Sequence, residues 1–343
     1  MSSGDASPKS PSKKVPRTAP SNQLEALKEI TVVVADTGDY EKIKQFKPQD
    51  ATTNPTLILQ AVQLPEYASL VSSVIDSAKA SGLSGDALVD DICDRLAVQF
   101  GLEILKIIPG RVSTEVDACL SFDAQRSIEK AKKLIALYKE QGIEKERILI
   151  KLASTWEGIE ACRQLEKEGI HCNMTLIFNY EQAIACAQAG ATLISPFVGR
   201  ILDWYVKNRP VDTPYTKMTD PGVVSVTKIF NYFKAHGHCT TVMGASFRSK
   251  DEILGLAGID SLTISPKLLG ELEQCSDELE RILDASKVAT NSVERVHVTE
   301  PVFRWALNED QMASDKLSEG IRNFNKDLQK LRDTVRAKLG GEH

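Results

Sequence analysis

Short β-branched, apolar runs alternate with longer stretches of helical spacing along most of this chain. The runs predict strands over residues 30–36, 50–54, 111–117, 147–155, 170–176, 191–196, 240–244 and 261–265. The stretches between them predict helices over 56–80, 86–107, 123–142, 156–168, 180–189, 221–236 and 249–257. A longer connection over 199–220 begins with helical spacing, and the tail predicts helices over 267–284 and 309–338.

Strands that alternate with helices in this number predict a closed (β/α)8 barrel of α/β class, folded as a single domain. A doubly wound open sheet is the rival, but it usually carries a glycine-rich first turn, and neither GxGxxG nor GxxxxGK[ST] occurs. Residues 1–22 are rich in Ser, Pro and Lys and predict a disordered tail. The barrel is therefore expected over residues 23–343.

One predicted strand, over residues 147–155, carries a lysine inside an apolar run. Because side chains alternate along a strand, Lys151 shares its face with Leu149 and Ala153. An enclosed ammonium is costly unless it is paired or neutralised, and a neutral amine can attack a carbonyl to form a Schiff base. The alternative is a lysine near a strand end that extends its ammonium to water.

Polar side chains gather at the carboxyl ends of the predicted strands, where barrel enzymes place their active residues. They are Asp36, Thr53, Asn54, Glu115, Lys151, Asn173, Thr175, Ser195, Ser246 and Arg248. Alternation puts Ser113 and Glu115 on one face of their strand, and His171, Asn173 and Thr175 on one face of theirs. The opposite faces, which should contact the outer helices, carry Val112, Thr114, Val116, Cys172, Met174 and Leu176.

A lysine, two carboxylates, amides and hydroxyls in one pocket suit imine chemistry on a sugar-like substrate. Arg200 and Arg248 lie in small-residue loops after late strands, which suits a phosphate, although a surface salt bridge explains either arginine taken alone. Structural alternatives also stand: Asp36 and Asn54 as helix caps, and Glu115 paired with Arg111 or another cation.

Further alternatives concern hydrogen bonding and the choice of amine. Asn173 and Thr175 are also explained by backbone hydrogen bonds, and Ser195 by a turn before Pro196. Lys267 is a rival amine, although its position at a helix start predicts an exposed side chain.

The net charge of -5 and the pI of about 5.7 give no general attraction to nucleic acid or an anionic membrane. No apolar run approaches the length of a membrane span, and the start lacks a secretory signal. Seven scattered cysteines without a CxxC indicate free thiols in a reducing cytoplasm, and no metal motif is complete. A weak basic cluster in the tail (Lys9, Lys13, Lys14 and Arg17) leaves a nuclear fraction open, but a solvated tail is the favoured interpretation.

Several long motifs resemble the transaldolase family of the pentose phosphate pathway, in the same order, from about residue 23 to the end. They lie at residues 36–39, 50–55, 110–117, 148–158, 173–176, 194–200, 245–248 and 262–267. The resemblance implies a class I aldolase barrel without metal or other cofactor, commonly a homodimer, with the C-terminal helix packed over the barrel mouth. It implies transfer of a dihydroxyacetone unit from sedoheptulose 7-phosphate to glyceraldehyde 3-phosphate, giving erythrose 4-phosphate and fructose 6-phosphate.

The resemblance also assigns roles by motif. Lys151 is expected to form the Schiff base, Glu115 to activate a water, and Asp36 to act as acid and base on the hydroxyl at the broken bond. The dihydroxyacetone unit is expected to be oriented by Asn54, Asn173, Thr175 and Ser195. The phosphate is expected to be held by Arg200, Ser246 and Arg248.

Two alternatives to transfer remain at this point. Related aldolases that release dihydroxyacetone to water have a polar residue at the position of Phe197, so phenylalanine there favours transfer. A non-catalytic barrel that binds sugar phosphates is the second alternative. It has no need for a buried amine beside two carboxyls, which argues against it.

Overall fold

The computed structural model of the protein describes residues 20–210 and 212–340. Most of the predicted disordered tail, with its basic cluster, lies outside the described residues. Within them, no helix is long and apolar enough to cross a membrane.

Eight parallel strands close into a barrel in which each strand pairs with its neighbours in chain order and β1 pairs with β8. The strands are β1 Val32–Asp36, β2 Asp50–Thr52, β3 Val112–Glu115, β4 Ile148–Ala153, β5 Cys172–Ile177, β6 Leu193–Pro196, β7 Thr241–Gly244 and β8 Ser261–Ile264. This arrangement confirms the predicted (β/α)8 barrel. It also brings the carboxyl ends of the strands to one mouth.

Helices follow the strands around the outside of the barrel, and the chain ends in two more. They are α1 Gln23–Lys28, α2 Tyr40–Phe46, α3 Pro55–Val62, α4 Ala68–Lys79, α5 Gly85–Leu105, α6 Ala124–Glu140 and α7 Trp156–Lys167. They continue with α8 Tyr180–Gln188, α9 Val198–Asn208, α10 Pro221–Ala235, α11 Lys250–Gly255, α12 Pro266–Glu273, α13 Glu300–Glu309 and α14 Gln311–Gly340.

Two helix predictions were wrong in their extent. The helix predicted over 56–80 is two helices, because Pro65 opens a separate 3-10 turn, Pro65–Tyr67. The helix predicted over 267–284 ends at Glu273. Beyond it, the backbone N–H groups of Ile282 and Leu283 both donate to the carbonyl of Ala257 instead of continuing a helix.

The helix predicted from roughly 309 to 338 is confirmed as α14. It begins at Gln311, after an extended Asp310 that separates it from α13. Helices α1, α2 and α13 were not predicted.

The barrel interior below the mouth is filled by an apolar layer of Val34, Leu149, Leu193 and Met243, all at most 3% exposed. The opposite faces of the same strands belong to the larger core under the outer helices, as Ile148 and Ile150 do. The predicted alternation along β4 is therefore confirmed. Lys151 lies on the interior face, two residues after Leu149 and closer to the mouth.

Leu176 corrects the face predicted for it. Its φ is 57°, in the left-handed region, at a register shift between Thr175 and Ile177. The bulge turns its side chain away from the outer helices and into an apolar cluster with Phe197 and α14. Leucine at this φ is strained, and a Cβ added at Gly320 of α14 would lie 2.7 Å from Leu176 Cδ2. This contact sets how closely α14 approaches the mouth.

Polar side chains fasten α14 to the barrel along its length. Trp204 Nε1 donates to Asp315 Oδ2 at 2.9 Å, and Thr56 Oγ1 donates to Asp327 Oδ2 at 2.6 Å. Farther along, Arg332 Nη2 pairs with Asp90 at 2.8 Å. The helix contacts α3, α5, α9 and β5, so it lies across the mouth as the resemblance implied.

Candidate active site

Lys151 and Glu115 form a buried ion pair near the carboxyl ends of β4 and β3, where the two residues are in register. Lys151 Nζ lies 3.1 Å from Glu115 Oε2, and each side chain is only 5% exposed. The same amine donates to the carbonyl of Thr53 at 3.2 Å. Burial raises the pKa of Glu115, and the charge of Lys151 opposes this rise. Glu115 is paired with a cation, as the structural alternative allowed, and that cation is Lys151 and not Arg111.

Asp36 ends β1 and takes part in a hydroxyl network instead of capping the helix that follows. Thr52 Oγ1 donates to Asp36 Oδ1 at 2.9 Å, and it lies 2.6 Å from Thr263 Oγ1. Burial raises the pKa of Asp36, whereas the nearby Lys151 charge lowers it. A carboxyl with a raised pKa holds a proton more readily than an ordinary aspartate, which suits proton transfer.

Asn173, Ser113 and Ser195 join β5, β3 and β6 in a buried chain of hydrogen bonds. Asn173 Nδ2 donates to Ser113 Oγ at 3.1 Å, and Ser195 Oγ donates to Asn173 Oδ1 at 2.5 Å. Thr175 follows two residues on, opposite Ser195 in the register, and its hydroxyl is buried without a hydrogen bond to the described part of the chain. These groups are fixed before any ligand arrives, which suits the orientation of a polyol.

Asn54 caps α3, which is one of the alternatives that the sequence left open. Its Oδ1 accepts a hydrogen bond from the backbone N–H of Leu57 at 3.0 Å, and Pro55 occupies the first helical position. Because the oxygen is engaged, the amide nitrogen is the group that Asn54 can offer to a ligand.

Arg200 lies close to two aromatic rings at the mouth. Its guanidinium carbon is 4.7 Å from the centre of the Phe197 ring and 5.5 Å from that of Phe324. Burial lowers the pKa of Arg200, and the charge of Arg248 lowers it further. Two neighbouring guanidinium groups of like charge favour an anion between or beside them.

Arg248 is held by a carboxylate at the rim of the mouth. Its Nη2 and Nε lie 2.8 Å and 3.1 Å from Asp203 Oδ2, so the salt-bridge alternative describes this arginine correctly. Its backbone N–H donates to Glu252, and Ser246 two residues earlier has a φ of 60°. Arg248 is 44% exposed and can exchange Asp203 for a ligand.

The structure brings the predicted lysine, both carboxyls and the polar residues of β5 and β6 to one end of the barrel. Lys267 lies at the start of α12 with a side chain that is 85% exposed, so it is not the buried amine. Sequence reasoning missed Phe324, Thr52 and Thr263 as neighbours of the site. Phe324 gave no chemical signal, because an apolar residue at helical spacing is ordinary in a packed helix.

Comparisons with known proteins give one consistent result. Residues 33–335 match the family model described as transaldolase/fructose-6-phosphate aldolase. A protein named transaldolase from Marinomonas sp. (strain MWYL1) is 58% identical over 321 residues, which cover 93% of this chain and 100% of the relative. Another from Shewanella frigidimarina (strain NCIMB 400) is 59% identical over 318 residues, covering 93% of this chain and 99% of the relative.

Proposed function

The chain belongs to the transaldolase/fructose-6-phosphate aldolase family, and we propose that it uses Lys151 to carry a three-carbon unit between sugar phosphates. It is a transferase of the transaldolase type. The reaction moves dihydroxyacetone from sedoheptulose 7-phosphate to glyceraldehyde 3-phosphate and gives erythrose 4-phosphate and fructose 6-phosphate. The observation that carries the assignment of residues is a buried lysine amine 3.1 Å from Glu115 at the barrel mouth.

Formation of the imine begins with Lys151. The amine transfers its proton, attacks the ketose carbonyl, and the resulting carbinolamine loses water. Glu115 is the nearest group for these proton transfers, directly or through a water, because its carboxylate already contacts the amine. A raised pKa for Glu115 supports this role, since the carboxyl is then able both to accept and to return a proton.

Cleavage of the carbon–carbon bond next to the imine falls to Asp36. Its carboxylate takes the proton of the substrate hydroxyl, the bond breaks, and the electron pair moves into the imine to give an enamine. The aldehyde product leaves, and the enamine carbon then attacks the acceptor aldehyde. Asp36 returns the proton to the new hydroxyl, and hydrolysis of the imine frees the longer ketose.

Substrate orientation falls to the polar groups around the amine. The amide nitrogen of Asn54, the Asn173–Ser195 pair and the Thr175 hydroxyl face the dihydroxyacetone unit in this proposal. The phosphate lies between Arg200 and Arg248, with Ser246 beside it, and displaces the Asp203 carboxylate from Arg248.

The assembly and placement of the protein rest on family resemblance. We propose a homodimer in the cytoplasm in which residues 23–343 form one catalytic barrel and residues 1–22 a separate tail. Light scattering coupled to size exclusion tests the dimer, and a monomeric mass across the working concentration range would reject it.

Borohydride reduction in the presence of fructose 6-phosphate, followed by intact mass and peptide mapping, tests the assignment of the amine. We expect a reduced adduct on Lys151 that is absent in Lys151→Ala and retained in the matched control Lys267→Ala, whose side chain is exposed. An adduct on another lysine would displace Lys151. Binding without any adduct would favour the non-catalytic barrel.

A further inference from the structure

Phe324 is the residue of α14 that comes closest to the charged groups of the site. Its ring centre lies 5.9 Å from Lys151 Nζ and 5.5 Å from the Arg200 guanidinium carbon. The side chain is 2% exposed, so the ring is packed and does not sample solvent. It belongs to the apolar cluster that contains Phe178 and Phe197, and those two rings meet edge to face at 5.7 Å.

The position of this ring is fixed by the contacts of its helix on either side. One turn earlier, Gly320 packs against the strained Leu176 of β5. One turn later, Asp327 accepts from Thr56. Trp204 holds Asp315 nearer the start of the helix. Contacts at these points hold the Phe324 ring at a fixed distance from the Lys151 amine.

We propose that Phe324 determines whether the three-carbon unit on Lys151 is transferred or released. This inference rests on the proposed transfer reaction. The enamine on Lys151 has two fates: its carbon forms a bond to an acceptor aldehyde, or the same carbon takes a proton. After protonation, water adds to the imine carbon, the carbon–nitrogen bond breaks, and free dihydroxyacetone leaves the regenerated amine.

Both fates consume one water when the imine is hydrolysed, so they diverge one step earlier. At that step release needs a proton donor at the enamine carbon, whereas transfer needs the acceptor aldehyde there. A phenyl ring offers water no strong hydrogen-bond partner, and a water held against it loses bonds that it makes in bulk. The Phe324 ring near Lys151 Nζ and the Phe197 ring near Arg200 present apolar surface that offers a protonating water no hydrogen-bond partner. The ring thus disfavours release without touching the groups that form the imine.

The test compares three substitutions of one side chain. Phe324→Leu keeps apolar volume but shortens the side chain, Phe324→Ala removes it, and Phe324→Tyr keeps the ring and adds a hydroxyl that can hold water. Phe303→Leu is the matched control, because Phe303 is also 2% exposed but packs against Trp156 with ring centres 5.6 Å apart.

Two rates are measured for each variant. Release is followed as free dihydroxyacetone from fructose 6-phosphate alone, and transfer as sedoheptulose 7-phosphate formed when erythrose 4-phosphate is added. We expect the ratio of release to transfer to rise about tenfold or more in Phe324→Ala and Phe324→Tyr, less in Phe324→Leu, and not in Phe303→Leu.

The outcomes separate this inference from the proposed function. If the unmodified enzyme transfers and forms the Lys151 adduct but the ratio stays unchanged in Phe324→Tyr, the inference is wrong and the function stands. If the ratio rises equally in Phe303→Leu, loss of packing explains the effect and the inference is again wrong. If the unmodified enzyme neither transfers nor forms an adduct, the proposed function itself fails.

Discussion

The barrel interior consists of two layers of opposite chemistry that the same strands build two residues apart. The lower layer is wholly apolar, and the upper layer carries the ionisable and hydroxyl groups of the site. The paired positions are Val34 with Asp36, Leu149 with Lys151, and Leu193 with Ser195. Both layers are buried, but one is held by packing alone and the other by hydrogen bonds and an ion pair.

The two layers make different contributions to the protein. Close packing of the lower layer stabilises the barrel and closes its floor. The upper layer raises the pKa of Asp36 and Glu115 by burial, which is a cost to folding at neutral pH and a condition for proton transfer. Substitutions in the upper layer should therefore change activity most, and those in the lower layer should change stability most.

The largest expected effect on activity comes from Asp36→Asn in the upper layer. The amide cannot accept the hydroxyl proton, so transfer should fall by about 10² to 10⁴-fold while thermal stability is retained. The borohydride adduct on Lys151 should persist, because the proposed mechanism does not use Asp36 in imine formation. The control is Asp76→Asn, whose side chain is 66% exposed on α4. Loss of the adduct together with transfer would show that Asp36 acts earlier.

The lower layer is tested by Met243→Ala. Met243 lies on β7, two residues before Ala245. Removing the buried side chain should cost about 2–5 kcal/mol in the free energy of unfolding, because a cavity remains in the barrel floor. We expect kcat of the folded variant to change only a few-fold. Denaturant titration measures the loss, with Val224→Ala (51% exposed) as the control. A large fall in kcat with unchanged stability would contradict the division between layers.

The smallest effect is expected at Glu252, a buried carboxyl beneath the rim that belongs to neither layer. Burial raises the pKa of Glu252 to about 7, from 4.5, although a hydrogen bond from the Arg248 backbone opposes the shift. Between these pH values the folded state keeps a proton that the unfolded state has lost. Titration of Glu252 should therefore lower the free energy of unfolding as pH rises, by at most about 1.4 kcal/mol per pH unit.

Glu252→Gln removes this group from the titration. Unfolding free energies measured from pH 4.5 to pH 8 should fall less steeply with rising pH in the variant than in the unmodified protein. The exposed Glu66→Gln substitution on the first turn of the Pro65–Tyr67 segment is the control and should leave the slope unchanged. Parallel curves for Glu252→Gln and the unmodified protein would show that Glu252 titrates normally.

Much of the fold was predictable because strand and helix periods differ clearly in this chain. The alternation also placed Lys151 and Glu115 on the interior face, since each strand end has few residues and a fixed parity. Leu176 escaped this reasoning, because a bulge changes parity and depends on packing against Gly320, which is distant in sequence.

The remaining errors also arise from tertiary contacts. Residues 279–283 have apolar spacing like that of a helix. However, the backbone N–H groups of Ile282 and Leu283 donate to the Ala257 carbonyl, and the apolar side chains of this segment pack in the core without forming a helix. Phe324 could not be recognised from the sequence for a related reason. Its spacing marks it as buried, but only the folded chain shows that it is buried against a lysine amine.

The position of α14 after the eighth strand affects the order in which the barrel and its covering helix are synthesised. Ribosomes complete the eight strands first, because β8 ends at Ile264, well before Phe324 emerges. A nascent chain can thus close its barrel and leave Lys151 uncovered before α14 has been synthesised. A chain that a protease cuts before α14 also leaves Lys151 uncovered, so protection of the proposed amine depends on α14 as much as on the barrel.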